Sequence, residues 1–174
     1  MFIRKKQFSM SMRILAIGDP HGDLLKVKKI NAKNIDLILL TGDLGSANLM
    51  RKMAFENLER QKKGLDEKEY SKQKQQKAFM EAYTSSMRVV KYLAKFAPIY
   101  TIYGNVENSN TETKKREKEL GLPLPYLSND LNKLKNVRVI NNRIANFKGI
   151  RIGGLKYFVD TNWVQEFKPK SWSP

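Results

Sequence analysis

The stretch Met12-Arg-Ile-Leu-Ala-Ile-Gly18-Asp19-Pro-His21 decides the fold of this chain. Its first half is a short apolar run that ends in glycine and is soon followed by proline, a pattern typical of a buried strand rather than a helix. Asp23 then stands in the N-cap position ahead of apolar residues at helical spacing, so a helix of about two to three turns is predicted to follow. The stretch therefore begins a strand–helix unit.

Two further apolar runs have the same form. Residues 35–40 follow the predicted helix, and a strand reached through a crossover helix pairs in parallel with the strand before it. Residues 98–103 are rich in β-branched and aromatic side chains and predict a third strand. Each of the three runs leads into a glycine, at Gly18, Gly42 and Gly104. We therefore expect three parallel strands that lie side by side.

The region between the second and third strands is predicted to be helical. Residues 49–96 are rich in lysine, glutamine, glutamate and methionine, with one glycine and no proline. They predict two helices that separate near Gly64, the second with its N-cap at Asp66. Apolar residues recur at helical spacing from Phe79 onward, which favours packing against the core over base stacking. The almost wholly polar residues 60–77 are expected to project as a helical arm.

The last part of the chain predicts shorter elements. A charged helix is expected at residues 111–120. Runs at 137–140, 143–147 and 150–153 are separated by turn-forming pairs and predict a meander of short strands that joins a second sheet. Residues 160–174 lack periodicity and predict an irregular loop. The fold class is therefore α/β.

Composition bounds the domain organisation and the class of protein. A chain of 174 residues gives one ordinary domain, expected at residues 12–174 after a short basic leader of residues 1–11. It lacks both a secretory h-region behind that leader and an apolar run of roughly 18 residues that would span a membrane. We expect a soluble, cytoplasmic protein with no membrane partner. Cysteine is absent, so any metal must take oxygen and nitrogen ligands.

The net charge favours anionic partners. Lysine and arginine number 33 against 17 aspartates and glutamates, which gives a formal charge of +16. Such an excess suits phosphate esters or nucleic acid. A solvated basic surface would have the same composition, because charge alone bears on encounter and solubility rather than on chemistry.

Metal-competent side chains follow all three glycine-terminated runs. Asp19 and His21 follow the first, Asp43 the second and Asn105 the third. Because ligands bind beyond the carboxyl ends of parallel strands, these motifs are expected to converge, with Asp19 and His21 on the same side of an extended segment. The oxygen and nitrogen donors favour Mn, Fe, Co, Zn or Mg. Taken alone, Asp19, Asp43 and Asn105 are each more typical of a turn than of a metal ligand, and only their ordered recurrence at three strand ends favours ligation.

The order Asp-x-His, Gly-Asp, Gly-Asn resembles the calcineurin-like metallophosphoesterases over residues 12–158. The resemblance implies a sandwich of two mixed β-sheets flanked by helices, with residues 49–96 as a helical insertion. It implies two divalent metal ions, with manganese preferred over iron, zinc, cobalt or magnesium. By the same resemblance the site residues are Asp19 and His21 on the first metal, Asp43 bridging both, and Asn105 on the second metal and the phosphate as the catalytic residue.

The chain departs from the family pattern in its histidines. Val106 stands where the family usually has the histidine that protonates the leaving group, although Glu107 keeps the acidic position after it. His21 is the only histidine of the chain, so the late histidine and the Gly-His-x-His ligands of the family are missing. The second metal site is therefore predicted to be incomplete and the domain to be C-terminally truncated.

The function predicted for the complete form is hydrolysis of a phosphate mono- or diester by a metal-bound hydroxide. Two alternatives are a truncated or inactive pseudoenzyme and a basic nucleic-acid-binding module that uses Lys72, Lys74 and Lys77 beside a vestigial metal site. As it stands, the chain is expected to bind one divalent cation weakly and to hydrolyse phosphate esters poorly or not at all.

Overall fold

The computed structural model describes residues 11–156, so most of the predicted leader and the predicted loop of residues 160–174 lie outside the described part. The strands are β1 (Ile14–Ile17), β2 (Leu37–Leu40), β3 (Ile99–Thr101), β4 (Val137–Val139), β5 (Arg143–Phe147) and β6 (Ile150–Gly154). The helices are α1 (Leu24–Val27), α2 (Asn48–Lys62), α3 (Lys72–Leu93), α4 (Asn110–Leu120) and α5 (Leu127–Asn132). In this part of the chain, no helix is long and apolar enough to cross a membrane.

The first four strands form one sheet whose order follows the chain, and every neighbouring pair is parallel. Ile38 of β2 pairs with Ile99 of β3, for example. The prediction of three parallel strands side by side is confirmed. Two predictions are wrong for the described residues: β4 extends this sheet instead of joining the second one, and the sheet is parallel rather than mixed. Helices α4 and α5 lie between β3 and β4 and bring the chain back to the end of the sheet where β3 begins. Strand β4 therefore runs parallel to β3 and extends the first sheet.

Alternating side chains bury both faces of this sheet. Ile38, Leu40 and Ile99 belong to a core cluster shared with residues of α1, α3 and α5. Leu37 and Tyr100 belong to a second cluster shared with β5 and β6. Burial on both faces explains why β2 is a continuous apolar run instead of an alternating one.

Strands β5 and β6 form an antiparallel pair that covers the second face. Lys148 and Gly149 make the turn between them with φ of 47° and 86°, the left-handed values of a two-residue hairpin turn. The rings of Phe147 and Tyr100 pack edge to face with centroids 6.0 Å apart. The Tyr100 hydroxyl also donates to the carbonyl of Asn146 at 3.1 Å. The molecule is thus an α/β fold with a parallel sheet and a small antiparallel pair.

The two long helices occupy the region predicted to be helical, but α3 begins later than expected. Its N-cap is Ser71 rather than Asp66. The connection before it folds back along α2, where the Asn57 side chain accepts a hydrogen bond from the N–H of Lys68 at 3.0 Å. Residues 60–77 therefore do not project as a continuous helical arm.

Candidate functional site

The carboxyl ends of β1, β2 and β3 lie at one edge of the sheet, and hydrogen bonds join the loops that follow them. The N–H of His21 donates to the carbonyl of Asp43 at 2.9 Å, and the N–H of Gly22 donates to the carbonyl of Leu44 at 2.8 Å. Both bonds hold the first loop against the second. Asp23 then caps α1 as predicted, although that helix is only 4 residues long.

The third loop is held against the second through Asp43. Oδ1 of Asp43 accepts a hydrogen bond from the N–H of Val106 at 3.1 Å. A Cβ on Gly104 would collide with the backbone and the carboxylate of Asp43, so the close approach of the two loops requires glycine there. Asn105 is exposed. The three motifs therefore meet at one sheet edge as expected, while the metal-binding and catalytic roles of their side chains stay predictions.

Three of the candidate ligands have left-handed backbone. The φ angles are 43° at Asp19, 44° at His21 and 44° at Asp43. Aspartate tolerates this conformation in turns, in keeping with the turn interpretation of the two aspartates. Histidine is also among the side-chain-bearing residues that adopt positive φ more often than most. Such conformations cluster at functional sites, so the backbone at His21 is compatible with both a turn and a functional role.

The His21 side chain also has an unexplained polar atom. Its Nδ1 is buried and makes no hydrogen bond to any residue that the structure describes. A buried polar atom without a partner costs about 1–3 kcal/mol. His21 and Asp19 line the same cleft, which has a volume of about 730 Å³. A carboxylate and an imidazole that border one cleft are donors suited to a divalent metal ion.

The donor chemistry fits a divalent ion, but the described side chains do not form a closed cage. Within residues 11–156, no group of three or more histidine, cysteine, aspartate or glutamate side chains is placed to hold an ion. Asp43 is engaged with the N–H of Val106, and neither Asp43 nor Asn105 lines the cleft of Asp19 and His21. The three ligands expected for the first ion, Asp19, His21 and Asp43, are therefore not arranged around a common point in this structure.

Comparison with protein families matches residues 12–173 to the calcineurin-like phosphoesterases. The chain belongs to this family. A solved structure matches with 17% sequence identity and a TM-score of 0.49, and the match covers 90% of this chain and 65% of the other protein's chain. Comparison with curated proteins gave no match. The family match, which extends over nearly the whole sequence, carries the assignment.

Glu107 joins two of the loops at this edge of the sheet, and sequence reasoning noted only its acidic character. Its side chain is 5% exposed. Oε1 accepts from the N–H groups of Leu44 at 2.7 Å and Gly45 at 3.3 Å, and Oε2 accepts from the N–H of Gly104 at 3.0 Å. Burial raises the pKa of Glu107, a nearby Asp43 carboxylate raises it further, and the backbone donors oppose both effects. Glu107 thus fastens the second loop to the third.

Helix α3 forms the wall opposite the first two loops, which sequence reasoning did not anticipate. Glu81 accepts hydrogen bonds from the Ser46 hydroxyl and from the N–H of Leu49, both at 2.9 Å. Ser85 Oγ accepts from the N–H of Ser46 at 2.7 Å. A Cβ on Gly22 would lie 2.6 Å from the Cβ of Ser85. The helical segment is therefore attached directly to the site loops.

Proposed function

We propose that this family member is a metal-dependent phosphoesterase that hydrolyses a phosphate mono- or diester. The observation that carries the proposal is the buried, unpartnered Nδ1 of His21 beside Asp19, at the edge where three motifs of the family converge. A bound ion is one of the explanations for a buried polar atom that makes no hydrogen bond, and it is the explanation that this proposal adopts. The family match supplies the reaction class.

In this proposal Asp19, His21 and Asp43 would hold one divalent ion. Asp43 and Asn105 would contribute to a second ion, whose histidine ligands in the family pattern have no counterpart in this sequence. Asn105 would also contact the phosphate. Manganese is the first choice, with iron, zinc, cobalt and magnesium as alternatives. When bound, such ions activate water and neutralise charge on a phosphoryl group. Oδ1 of Asp43 must give up or share its bond to the N–H of Val106 if it is to bind metal.

Leaving-group chemistry follows from Val106. This residue is 6% exposed, and its side chain packs with Ala47 and Ala82. An alkyl side chain cannot protonate the departing oxygen, so the chain depends on leaving groups that depart without an acid. We therefore expect aryl phosphates to be hydrolysed faster than alkyl phosphates.

Calorimetry with Mn²⁺ and hydrolysis of an aryl phosphate test the proposal. The Asp43→Asn variant should lose both Mn²⁺ affinity and turnover, because the amide keeps the side-chain shape but not the charge. Asp66→Asn is the matched control, since Asp66 is exposed, is absent from the cleft lining and is not a candidate ligand. Mn²⁺-independent turnover, or equal turnover in the Asp43 variant, would refute the metal mechanism. Absence of both binding and turnover would favour an inactive pseudoenzyme.

A second candidate function is nucleic-acid binding by the start of α3. Lys72 and Lys77 are exposed there, and the Lys74 ammonium lies 4.3 Å from the centroid of the Tyr70 ring. Phosphate contacts by such lysines release counterions, so affinity should fall steeply as salt rises. Lack of DNA and RNA binding at about 50 mM salt would eliminate this function.

A further inference from the structure

The cleft in front of Asp19 and His21 has a wall made by one face of α3. Glu81, Ser85 and Arg88 all line the cleft, and their spacing of four and then three residues places them along one side of the helix. Glu81 and Ser85 are engaged with the loop after β2. Arg88, one turn further along, is exposed. The wall therefore consists of two residues that hold a loop and one cation.

Arg88 differs from the other cation of the cleft in having no carboxylate partner. On the opposite wall, the Lys26 ammonium lies 3.2 Å from a carboxylate oxygen of Asp23. Among the described residues, Arg88 takes part in no ion pair or hydrogen bond. Its guanidinium thus keeps its donors available at a cleft that also contains the candidate metal ligands.

The charge of the cleft makes this cation necessary for an anionic substrate. Asp19, Asp23 and Glu81 place three carboxylates on the lining, and each repels a phosphate group. A metal ion at Asp19 and His21 would offset one of them, and Lys26 already offsets Asp23. An arginine fork offers two parallel N–H donors that match the oxygens of a phosphate.

We propose that Arg88 binds a phosphate group of the substrate in the cleft and thereby sets its affinity. This inference rests on the proposed phosphoesterase function and adds the residue that recognises the anion. Arg88 is assigned to binding rather than to bond cleavage, because it stands on a helix wall and not on one of the strand-end loops. Its loss should raise KM and weaken phosphate binding more than it lowers kcat.

The test compares Arg88→Gln, Arg88→Lys and the control Arg51→Gln. Arg51 is an exposed arginine of α2 and is absent from the cleft lining, so its variant makes the same change of net charge elsewhere. Inorganic phosphate binding to the Mn²⁺-loaded chain is measured by calorimetry, alongside KM and kcat for an aryl phosphate. Losing a charge-assisted bidentate contact should weaken phosphate binding about 10- to 100-fold in Arg88→Gln.

The lysine variant should retain part of the affinity, since it keeps the charge but not the fork. Two results would overturn the inference while leaving the phosphoesterase function intact. One is an unchanged phosphate affinity and KM in Arg88→Gln, and the other is an equal loss of affinity and rise of KM in the control Arg51→Gln. Selective loss of phosphate binding in a chain that hydrolyses nothing would support the inference and count against the proposed function. No phosphate binding by the unaltered chain would overturn it. Because Arg88 is exposed, the variants should unfold at the same temperature as the unaltered chain.

Discussion

Replacement of Glu107 by glutamine should loosen the candidate site and destabilise the fold. The carboxylate accepts three backbone hydrogen bonds from two loops. An amide has only one acceptor oxygen, so at best it keeps the bonds from Leu44 and Gly45 and turns its NH₂ group toward the N–H of Gly104. The N–H of Gly104 would then face the amide NH₂ group, so two donors would oppose each other without an acceptor between them.

The expected magnitude follows from the bonds lost and the charge removed. A hydrogen bond to a charged group contributes about 1.5–3 kcal/mol, and a buried donor without a partner costs about 1–3 kcal/mol. Part of this loss is recovered because glutamine carries no charge. Burial and the Asp43 carboxylate both disfavour the charged form of Glu107, as the raised pKa of this residue indicates. We expect Glu107→Gln to lower the free energy of unfolding by about 1–3 kcal/mol, and the melting temperature by roughly 2–4 °C per kcal/mol.

Thermal unfolding followed by far-UV circular dichroism measures the stability, and calorimetry measures Mn²⁺ affinity in the same variant. The control is Glu119→Gln, whose exposed pair with Arg116 at 3.2 Å contributes at most about 0.5 kcal/mol. If Glu107→Gln had the same melting temperature as Glu119→Gln and bound Mn²⁺ as tightly as the unaltered chain, the hydrogen bonds of Glu107 would not organise the site.

Two further predictions concern Gly104 of the third loop and Tyr83 in the middle of α3. Gly104→Ala should lose about 2 kcal/mol or more of stability in urea unfolding and should bind Mn²⁺ less tightly, since its Cβ would collide with Asp43. The control Gly153→Ala has open space around its Cβ and should keep both its stability and its Mn²⁺ affinity. Tyr83→Phe should lose about 1 kcal/mol near pH 7, because the Tyr83 hydroxyl donates to Asp130 at 2.7 Å. The Lys133 and Tyr83 side chains lower the pKa of Asp130 below its ordinary value of 3.8, so this stabilisation is complete above that value and disappears as pH falls through the lowered pKa. A loss in Tyr83→Phe that failed to shrink as the pH was lowered well below 3.8 would contradict the link to Asp130.

The main sheet could be predicted because the local sequence alone indicates its first three strands. The apolar runs that lead into Gly18, Gly42 and Gly104 are short and flanked by chain-reversing residues, and the structure confirms them as parallel neighbours. The same logic located the site edge, because parallel strands necessarily bring their carboxyl ends together. Side-chain roles at that edge do not follow from strand order, and the roles of Asp19, His21, Asp43 and Asn105 stay predictions.

Elements that depend on tertiary packing were missed or misplaced. Helix α5 has the sequence Leu-Ser-Asn-Asp-Leu-Asn, which is poor in helix formers, and burial of Leu127 and Leu131 stabilises it. Asp66 and Ser71 are both competent caps, so capping preference alone could not place the start of α3. Contacts of the connection with α2 decide between them.

The wall of α3 could not have been found from local sequence either. Ser85 and Ser46 are 39 residues apart, and Glu81 reaches the same loop across 35 residues. Neither residue belongs to a motif, and a polar residue in an amphipathic helix ordinarily indicates solvent. Only the approach of α3 to the loops, which Gly22 and Gly45 permit by lacking side chains, gives them a role.

The strained backbone at the strand ends explains why so many bonds converge there. Left-handed conformations at Asp19, His21 and Asp43 cost at most about 1–2 kcal/mol each, and less at the two aspartates, which tolerate this conformation. Such conformations persist only where surrounding contacts determine them. Glu107 ties the second loop to the third, and α3 holds the second loop from the other side, so the strain is offset by parts of the molecule that are not candidate ligands. Loops fixed in this way hold the backbone of Asp19, His21 and Asp43 in place, and the Asp43 carboxylate would still have to give up or share its hydrogen bond from the N–H of Val106 before it could bind an ion.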